Sequence, residues 1–299
     1  MANSSSHYLH TVLYTYHRNR IPKAQRARYH KVGAEVIRFL QTQTGRTGQP
    51  FISGSVAKKT DINEQFDLDI VVPFRYDSLC SIAEIKNRLF QKLKGRYQNT
   101  GAFAKKSRIA IMLKFLSGTI TIAIGVVPGM ELEAGLFDQR KKDEDNNYLH
   151  LFEDLADGKG KIVTTNVYRQ KRLIREKGNM LRIPIKLLKI WKHTFGFDLS
   201  SYVVEVMVVE AFRENPFSGK QTAPRLLAHV LRYMQPRLLQ GHDLQDIGAN
   251  NCMPDYLNSD EKIQLANHFK HILNILKTED LAALAERFPL NLKYHRENW

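Results

Sequence analysis

The sequence predicts an α+β protein in two lobes: strands and helices mixed over residues 1–160, then a helical lobe over 161–299. Three observations predict this division. Short apolar runs bounded by Gly and Pro recur through the first part; from Arg169 onward the apolar spacing turns helical. Between them, residues 129–157 are acidic and polar with no strong period.

In order along the chain, residues 22–44 read as a long amphipathic helix. Val32, Val36, Phe39 and Leu40 give its stripe, and Gly45-Arg-Thr-Gly48 with Pro50 ends it. This first helix is expected to pack across both lobes. A short strand at 51–53 runs into the turn Gly54-Ser55, and 66–73 is an apolar strand. Residues 81–93 are helical. Segments 108–116 and 119–127 read as two strands joined at Ser117-Gly118, a hairpin signal. The 129–157 segment reads as loop with a short helix, and its charged part, 138–147, as solvated. In the helical lobe, Leu187, Leu188, Ile190 and Trp191 begin one apolar face. Residues 202–212 form a nearly continuous buried helix, 222–234 and 260–287 supply further helices, and 241–254 is a loop. No internal repeat is visible.

The charge is unusual for a chain of 299 residues: 45 Lys+Arg against 30 Asp+Glu, a formal +15. Such a surplus suits polyanions, whether nucleoside triphosphates, nucleic acid or acidic lipid. It is spread over Arg18-Asn-Arg20, Lys105-Lys106, Arg140-Lys-Lys142 and Lys171-Arg172, so no basic tail marks a dedicated nucleic-acid module. Two cysteines, Cys80 and Cys252, cannot build a disulfide framework or a cysteine zinc site. With no apolar run of membrane length and no signal-peptide pattern at the start, the expectation is a cytoplasmic protein without a membrane partner.

The chemistry concentrates at Gly54-Ser55 and at Asp67 and Asp69. A small-residue turn can approach a phosphate closely, with the Ser55 hydroxyl and nearby amides as donors. Carboxylates two apart on a strand share a face, roughly 6–7 Å apart at Cα. Such a pair reaches around two magnesium ions about 3.5–4 Å apart. Manganese is the alternative ion.

Gly-Ser, Thr60 and Asp-x-Asp on a strand resemble the nucleotidyltransferase fold of polymerase-beta-like enzymes. Downstream, Ile185-Lys-Leu-Leu-Lys-Ile-Trp-Lys192 and Leu199-Ser-Ser-Tyr-Val-Val-Glu-Val-Met207 resemble the second-lobe signature of oligoadenylate synthetases, CCA-adding enzymes and bacterial cyclic-oligonucleotide synthases. Within that superfamily the chain looks most like the bacterial CD-NTases, the cGAS/DncV-like nucleotidyltransferases of anti-phage signalling. The long helix before Gly54 and the loop Asp246-Ile-Gly-Ala-Asn-Asn251 fit, and the likeness spans residues 25–260. It implies a magnesium-dependent enzyme that joins nucleoside triphosphates into cyclic di- or trinucleotides, which activate a downstream effector. It implies Asp67 and Asp69 as metal ligands, Lys189 as a contact to the β- and γ-phosphates, and Ser201 as a hydroxyl partner. Tyr202 would stack on a base, a contact worth about 1–3 kcal/mol. The plainer readings are a core tyrosine at 202, a solvated lysine at 189 and, for Asn166, a helix cap rather than a base reader.

The family pattern also needs a third Asp on a strand just before a Val-Pro pair. The matching segment is Thr119-Ile-Thr-Ile-Ala-Ile-Gly-Val-Val-Pro128, where the positions of the right parity are Ala123 and Gly125. Neither can ligate a cation. The lost Asp is read at Ala123, the residue an engineered inactivation leaves, although spacing to Pro128 favours Gly125. Three readings stand: an engineered inactive variant, a natural pseudoenzyme that binds nucleotides or nucleic acid, or a replacement ligand at Glu131 or Glu133. A template-independent RNA nucleotidyltransferase shares the same core.

Overall fold

The computed structural model describes residues 4–78, 80–117, 120–137, 145–155, 160–249, 253 and 257–293. It is an α+β chain that divides into two compact units: Pro22–Lys59 with Phe66–Arg172, and Met1–Ile21 with Thr60–Gln65 and Leu173–Trp299.

The first unit holds a seven-stranded mixed sheet: β1 (Phe51–Ile52), β2 (Asp67–Phe74), β3 (Ala102–Lys106), β4 (Ile111–Ser117), β5 (Ile120–Glu131), β6 (Leu149–Asp154) and β7 (Gly160–Thr165). The order is β1-β2-β5-β4-β3, with β6 joined to the far end of β5 and β7 beside it. β2 and β5 run parallel; the other pairs are antiparallel.

Helices α2 (Lys23–Gln41) and α4 (Ile82–Tyr97) cover one face of this sheet. They bury Val36, Leu40, Leu89 and Leu93 against Leu68, Ile70, Val72, Leu113 and Ile124. Ser81 and Glu84 close a capping box that starts α4. Because strand side chains alternate, burying residues 68, 70 and 72 turns Asp67, Asp69 and Val71 to the opposite face. There Val71 joins Phe137, Leu149 and Leu151 in a small cluster, which leaves the Asp67 end of the strand outside it.

The second unit is helical: α1 (Ser5–Thr15), α6 (Asn179–Thr194), α7 (Ser201–Glu214), α8 (Ala223–Leu239), α9 (Ser259–Thr278) and α10 (Leu281–Arg287). α5 (Val167–Lys177) carries the chain into it. Leu9, Val12, Ile190, Trp191, Val206, Leu231 and Phe269 share one core. Thr15, Asn63 and Asn291 tie its three chain segments together: the Asn291 amide donates to Thr15 Oγ1 at 3.1 Å and its side chain to Asn63 Oδ1 at 3.0 Å.

Several elements differ from expectation. The division places residues 1–21 and 60–65 with the helices and moves the boundary from 160 to 172, because Leu9, Val12 and Ile62 bury in the helical core. Residues 129–157, expected as loop, contain the end of β5 and all of β6, and β7 follows. The 260–287 helix is two helices, broken where Glu279 turns left-handed (φ 52°) and Asp280 caps α10. The hairpin strands are present as β4 and β5, while Gly118 and Thr119 at their turn lie outside the described residues. So do 138–144 of the acidic run, Asn250, Asn251 and Cys252.

Candidate functional site

β1 pairs with β2 so that Phe51 lies opposite Val71, and the Ser53 amide then donates to the Asp69 carbonyl at 2.9 Å. The chain turns at Gly54, whose φ of +62° favours glycine, and enters the single-turn helix α3 (Gly54–Lys58). A Cβ on Gly54 would stand 1.9 Å from Asp69 Oδ2. On the other side, parallel pairing sets Gly125 beside Asp69, and a Cβ there would stand 2.4 Å from Oδ1. The Asp69 carboxylate therefore lies between two glycines, in space that any other residue at either position would fill. Asp67 lies two residues earlier on the same face, opposite Ala123.

The glycine of the turn thus admits a close approach, and in this structure the approaching group is Asp69. Beside the turn is a small open pocket lined by Phe51, Ser53, Gly54, Lys58, Tyr168 and Lys171. The Phe51 and Tyr168 rings stack at one wall, 4.9 Å apart at 21°.

No cluster of three or more His, Cys, Asp or Glu side chains able to hold a metal occurs among the described residues. Two carboxylates on one face nevertheless fit magnesium, which takes one or two protein carboxylates and completes its octahedron with phosphate oxygens and water. Glu131 does not serve as a third ligand. It is buried six residues beyond Gly125, about 20 Å along a strand. Its carboxylate accepts from Thr47 Oγ1 at 3.0 Å and from the amides of Tyr76, Gly135 and Phe137 at 3.3–3.4 Å. Glu133 lies farther still, in the bend after β5.

The remaining predicted residues belong to the helical unit. Lys189 is neither solvated nor open to a phosphate. At 3% exposure its ammonium donates to Glu205 Oε1 at 2.8 Å and to the carbonyl and hydroxyl oxygens of Thr60, both at 3.3 Å. Thr60 Oγ1 donates to the same Glu205 oxygen at 2.8 Å. The three ammonium protons are taken up by this buried group, so the phosphate role expected of Lys189 has no donor left in this arrangement.

Ser201 is the first residue of α7, but the cap is Ser200, whose Oγ accepts from the Tyr202 amide at 3.2 Å. The Tyr202 ring packs half-buried against the helical core, and its hydroxyl donates to Asp246. The other Asp246 oxygen accepts from the amides of Gly248 and Ala249 at 2.7 and 2.6 Å. Tyr202 thereby fixes the 246–249 loop to α7. Asn166 is a cap: buried, it accepts from the Arg169 amide at 2.9 Å and donates to the Asp145 carbonyl.

Lys186, one helical turn before Lys189, escaped the sequence reading. Burial holds its pKa below the usual lysine value, against the pull of Asp61, with Arg18, Lys189 and Arg182 adding repulsion. The Lys-x-x-Lys spacing on one helix face was the signal that could have found it.

No protein-family model matches the sequence, and no curated protein matches it. Solved structures do. CdnG of Bradyrhizobium diazoefficiens, described as a CD-NTase in complex with GTP, superposes with a TM-score of 0.69 at 12% identity, over 95% of this chain and 94% of that one. CdnC of E. coli MS115-1, solved with ATP, gives 0.64 at 13% identity over 95% of each chain. The CdnE cyclic dinucleotide synthase of Elizabethkingia meningoseptica gives 0.56 at 16% identity, over 85% and 91%. At this level of identity the likeness is one of fold, and the chain has the fold of the bacterial CD-NTases.

Proposed function

We propose that the sheet unit binds a magnesium–nucleoside triphosphate at the Gly54-Ser55 turn and the Asp67–Asp69 pair, and that this chain joins nucleotides slowly or not at all. The arrangement of Asp69 between Gly54 and Gly125, with Asp67 on the same face, carries the reading. Proteins of this fold include a cyclic dinucleotide synthase and structures solved with GTP and ATP, which supports a nucleotide as ligand.

In this reading the turn amides and the Ser55 hydroxyl donate to phosphate oxygens, while Asp67 and Asp69 hold the metal on the triphosphate. Magnesium supplies charge neutralisation and activates the attacking hydroxyl. Catalysis of an in-line transfer needs both the attacking and the leaving oxygen clamped. The two sheet positions that could add a ligand beside the pair are Ala123 and Gly125, and neither side chain can. The consequence is binding without efficient joining. In a form with the third carboxylate, the same site would make cyclic di- or trinucleotides that signal to an effector.

The test is incubation with labelled ATP, GTP, CTP and UTP in magnesium or manganese, followed by chromatography, beside equilibrium binding of each nucleotide. Metal-dependent binding with little or no product is expected. Abundant product from this chain would overturn the missing-ligand argument, and absence of nucleotide binding would overturn the whole reading.

A further inference from the structure

We infer that the sheet face bearing Asp67 and Asp69 is also a track for a single-stranded oligonucleotide, with Lys114 and Lys105 at its phosphates and Phe103 under a base. The strand registers generate this face. One row runs Asp69, Gly125, Met112, Lys105; the next runs Asp67, Ala123, Lys114, Phe103. Strands are about 4.8 Å apart, so Lys114 stands roughly 10 Å from the carboxylate strand and Phe103 and Lys105 roughly 14 Å. The face thus begins with carboxylates suited to a metal-bound nucleotide end and continues into lysines and an exposed ring. Phe103 is 49% exposed, and Lys114 Nζ lies 5.9 Å from the centre of its ring.

Protection of a sheet edge explains part of this pattern and fails for the rest. Lysines commonly guard edge strands, and β3 is an edge. Its Lys106 turns to the helix-covered face, where it meets Asn87 and the Phe90 ring. Lys114, however, is on β4, an interior strand, and still projects exposed onto the carboxylate face. An exposed Phe103 adds nothing to edge protection. Positive charges beside a stackable ring are what single-strand binders present: the cations follow the backbone and the ring takes bases of any sequence.

The inference rests on reading Asp67 and Asp69 as the site of a nucleotide end. Its test uses the full chain with short fluorescein-labelled oligoadenylate and oligothymidylate, read by anisotropy across a salt series. The Lys105→Ala/Lys114→Ala pair should weaken binding at least tenfold at low salt. It should also flatten the log–log salt slope by about 1.4, since each phosphate contact on a single strand contributes about 0.7. Phe103→Ala should weaken binding roughly tenfold at every salt concentration with the slope unchanged. All three side chains are exposed, so melting should be unaltered, and ATP affinity should stay within twofold. Binding of RNA and DNA alike supports the track, as does a preference for RNA, which adds a 2′-hydroxyl contact. No binding by the unaltered chain would overturn the inference, as would binding indifferent to these substitutions. Leu116, two residues beyond Lys114 on the same face, is 60% exposed; a dimer that Phe103→Ala with Leu116→Ser dissociates in sedimentation would also overturn the inference, because the face would then be covered by a second copy. Oligonucleotide binding that needs the lysines, in a chain that binds no ATP, would retain the track and remove the triphosphate reading.

Discussion

Asp69 leaves no room for a side chain on either neighbour, and this sets what a third carboxylate would do. At position 125 it would meet Asp69 directly, since a Cβ alone comes within 2.4 Å of Oδ1. At 123 it would stand beside Asp67. Gly125→Asp is therefore expected to destabilise the metal-free protein by about 1–3 kcal/mol through crowding and like charge. Magnesium should restore its melting temperature and bring nucleotide-joining activity. Ala123→Asp sets a like charge opposite Asp67 but does not crowd Asp69, so it should cost less without metal and, although the sequence places the lost Asp there, gain less activity. Thermal melts with and without magnesium, followed by product chromatography, check both; activity only in the 123 variant would place the lost Asp at 123, as the sequence predicts. Gly54, Asp67 and Asp69 were legible because glycine in a turn and alternating carboxylates are local patterns. The contact of Asp69 with Gly125 was not, since it depends on a pairing between strands more than fifty residues apart. The misreading of Lys189 has the same origin: its partners, Thr60 and Glu205, come from two other segments.

Between elements, the group formed by Lys189, Glu205 and Thr60 joins α6, α7 and the 60–65 segment. Both ionic side chains are at most 3% exposed. Lys189→Met removes the ammonium from a buried carboxylate and should cost about 3–5 kcal/mol in denaturant unfolding. Lys189→Met with Glu205→Leu should recover most of that loss. A single variant as stable as the parent would show that the group contributes little. The strong stripes of α2 and α4 and the apolar runs of β2 and β5 were readable because their burial period is regular. β3, Ala102–Lys106, was missed: it has no β-branched residue and two lysines. β6 was missed although Leu149 and Leu151 alternate inward, because the acidic composition around it outweighed a pattern only six residues long. α1 went unread because its buried face of Leu9 and Val12 is narrow and its neighbours are histidines and tyrosines.

Across the molecule, burial shifts several titrating groups in two opposing directions. Tyr97 is pushed up to about 12 and Tyr8, Tyr16 and Tyr233 are raised, while Lys86 and Lys186 are lowered, in each case chiefly by burial. From pH 10 upward the unfolded chain loses tyrosine protons first, so these groups make stability fall with pH. The lysines act oppositely: below 10.5 the unfolded chain binds more protons, so stability rises with pH until that value. Denaturant stability should therefore hold near pH 10 and drop between about 10.5 and 12. Tyr97→Phe should lessen the drop; an unchanged profile would contradict the assignment. The two-lobed organisation was legible from the change in period near residue 169, but its discontinuity was not, because one helix at the start carries no sign of its partner. That discontinuity bears on synthesis. Tyr8 donates to the carbonyl of Phe288, 280 residues away, and Asn291 closes on Thr15 and Asn63. On the ribosome, where chains emerge at about 5–20 residues per second, α1 is made well before α6, α8 and α10, the helices whose core it shares. The strands described in the sheet unit are complete by Thr165, so that unit can form early, while Leu9 and Val12 of α1 stay uncovered until the later helices of their core emerge.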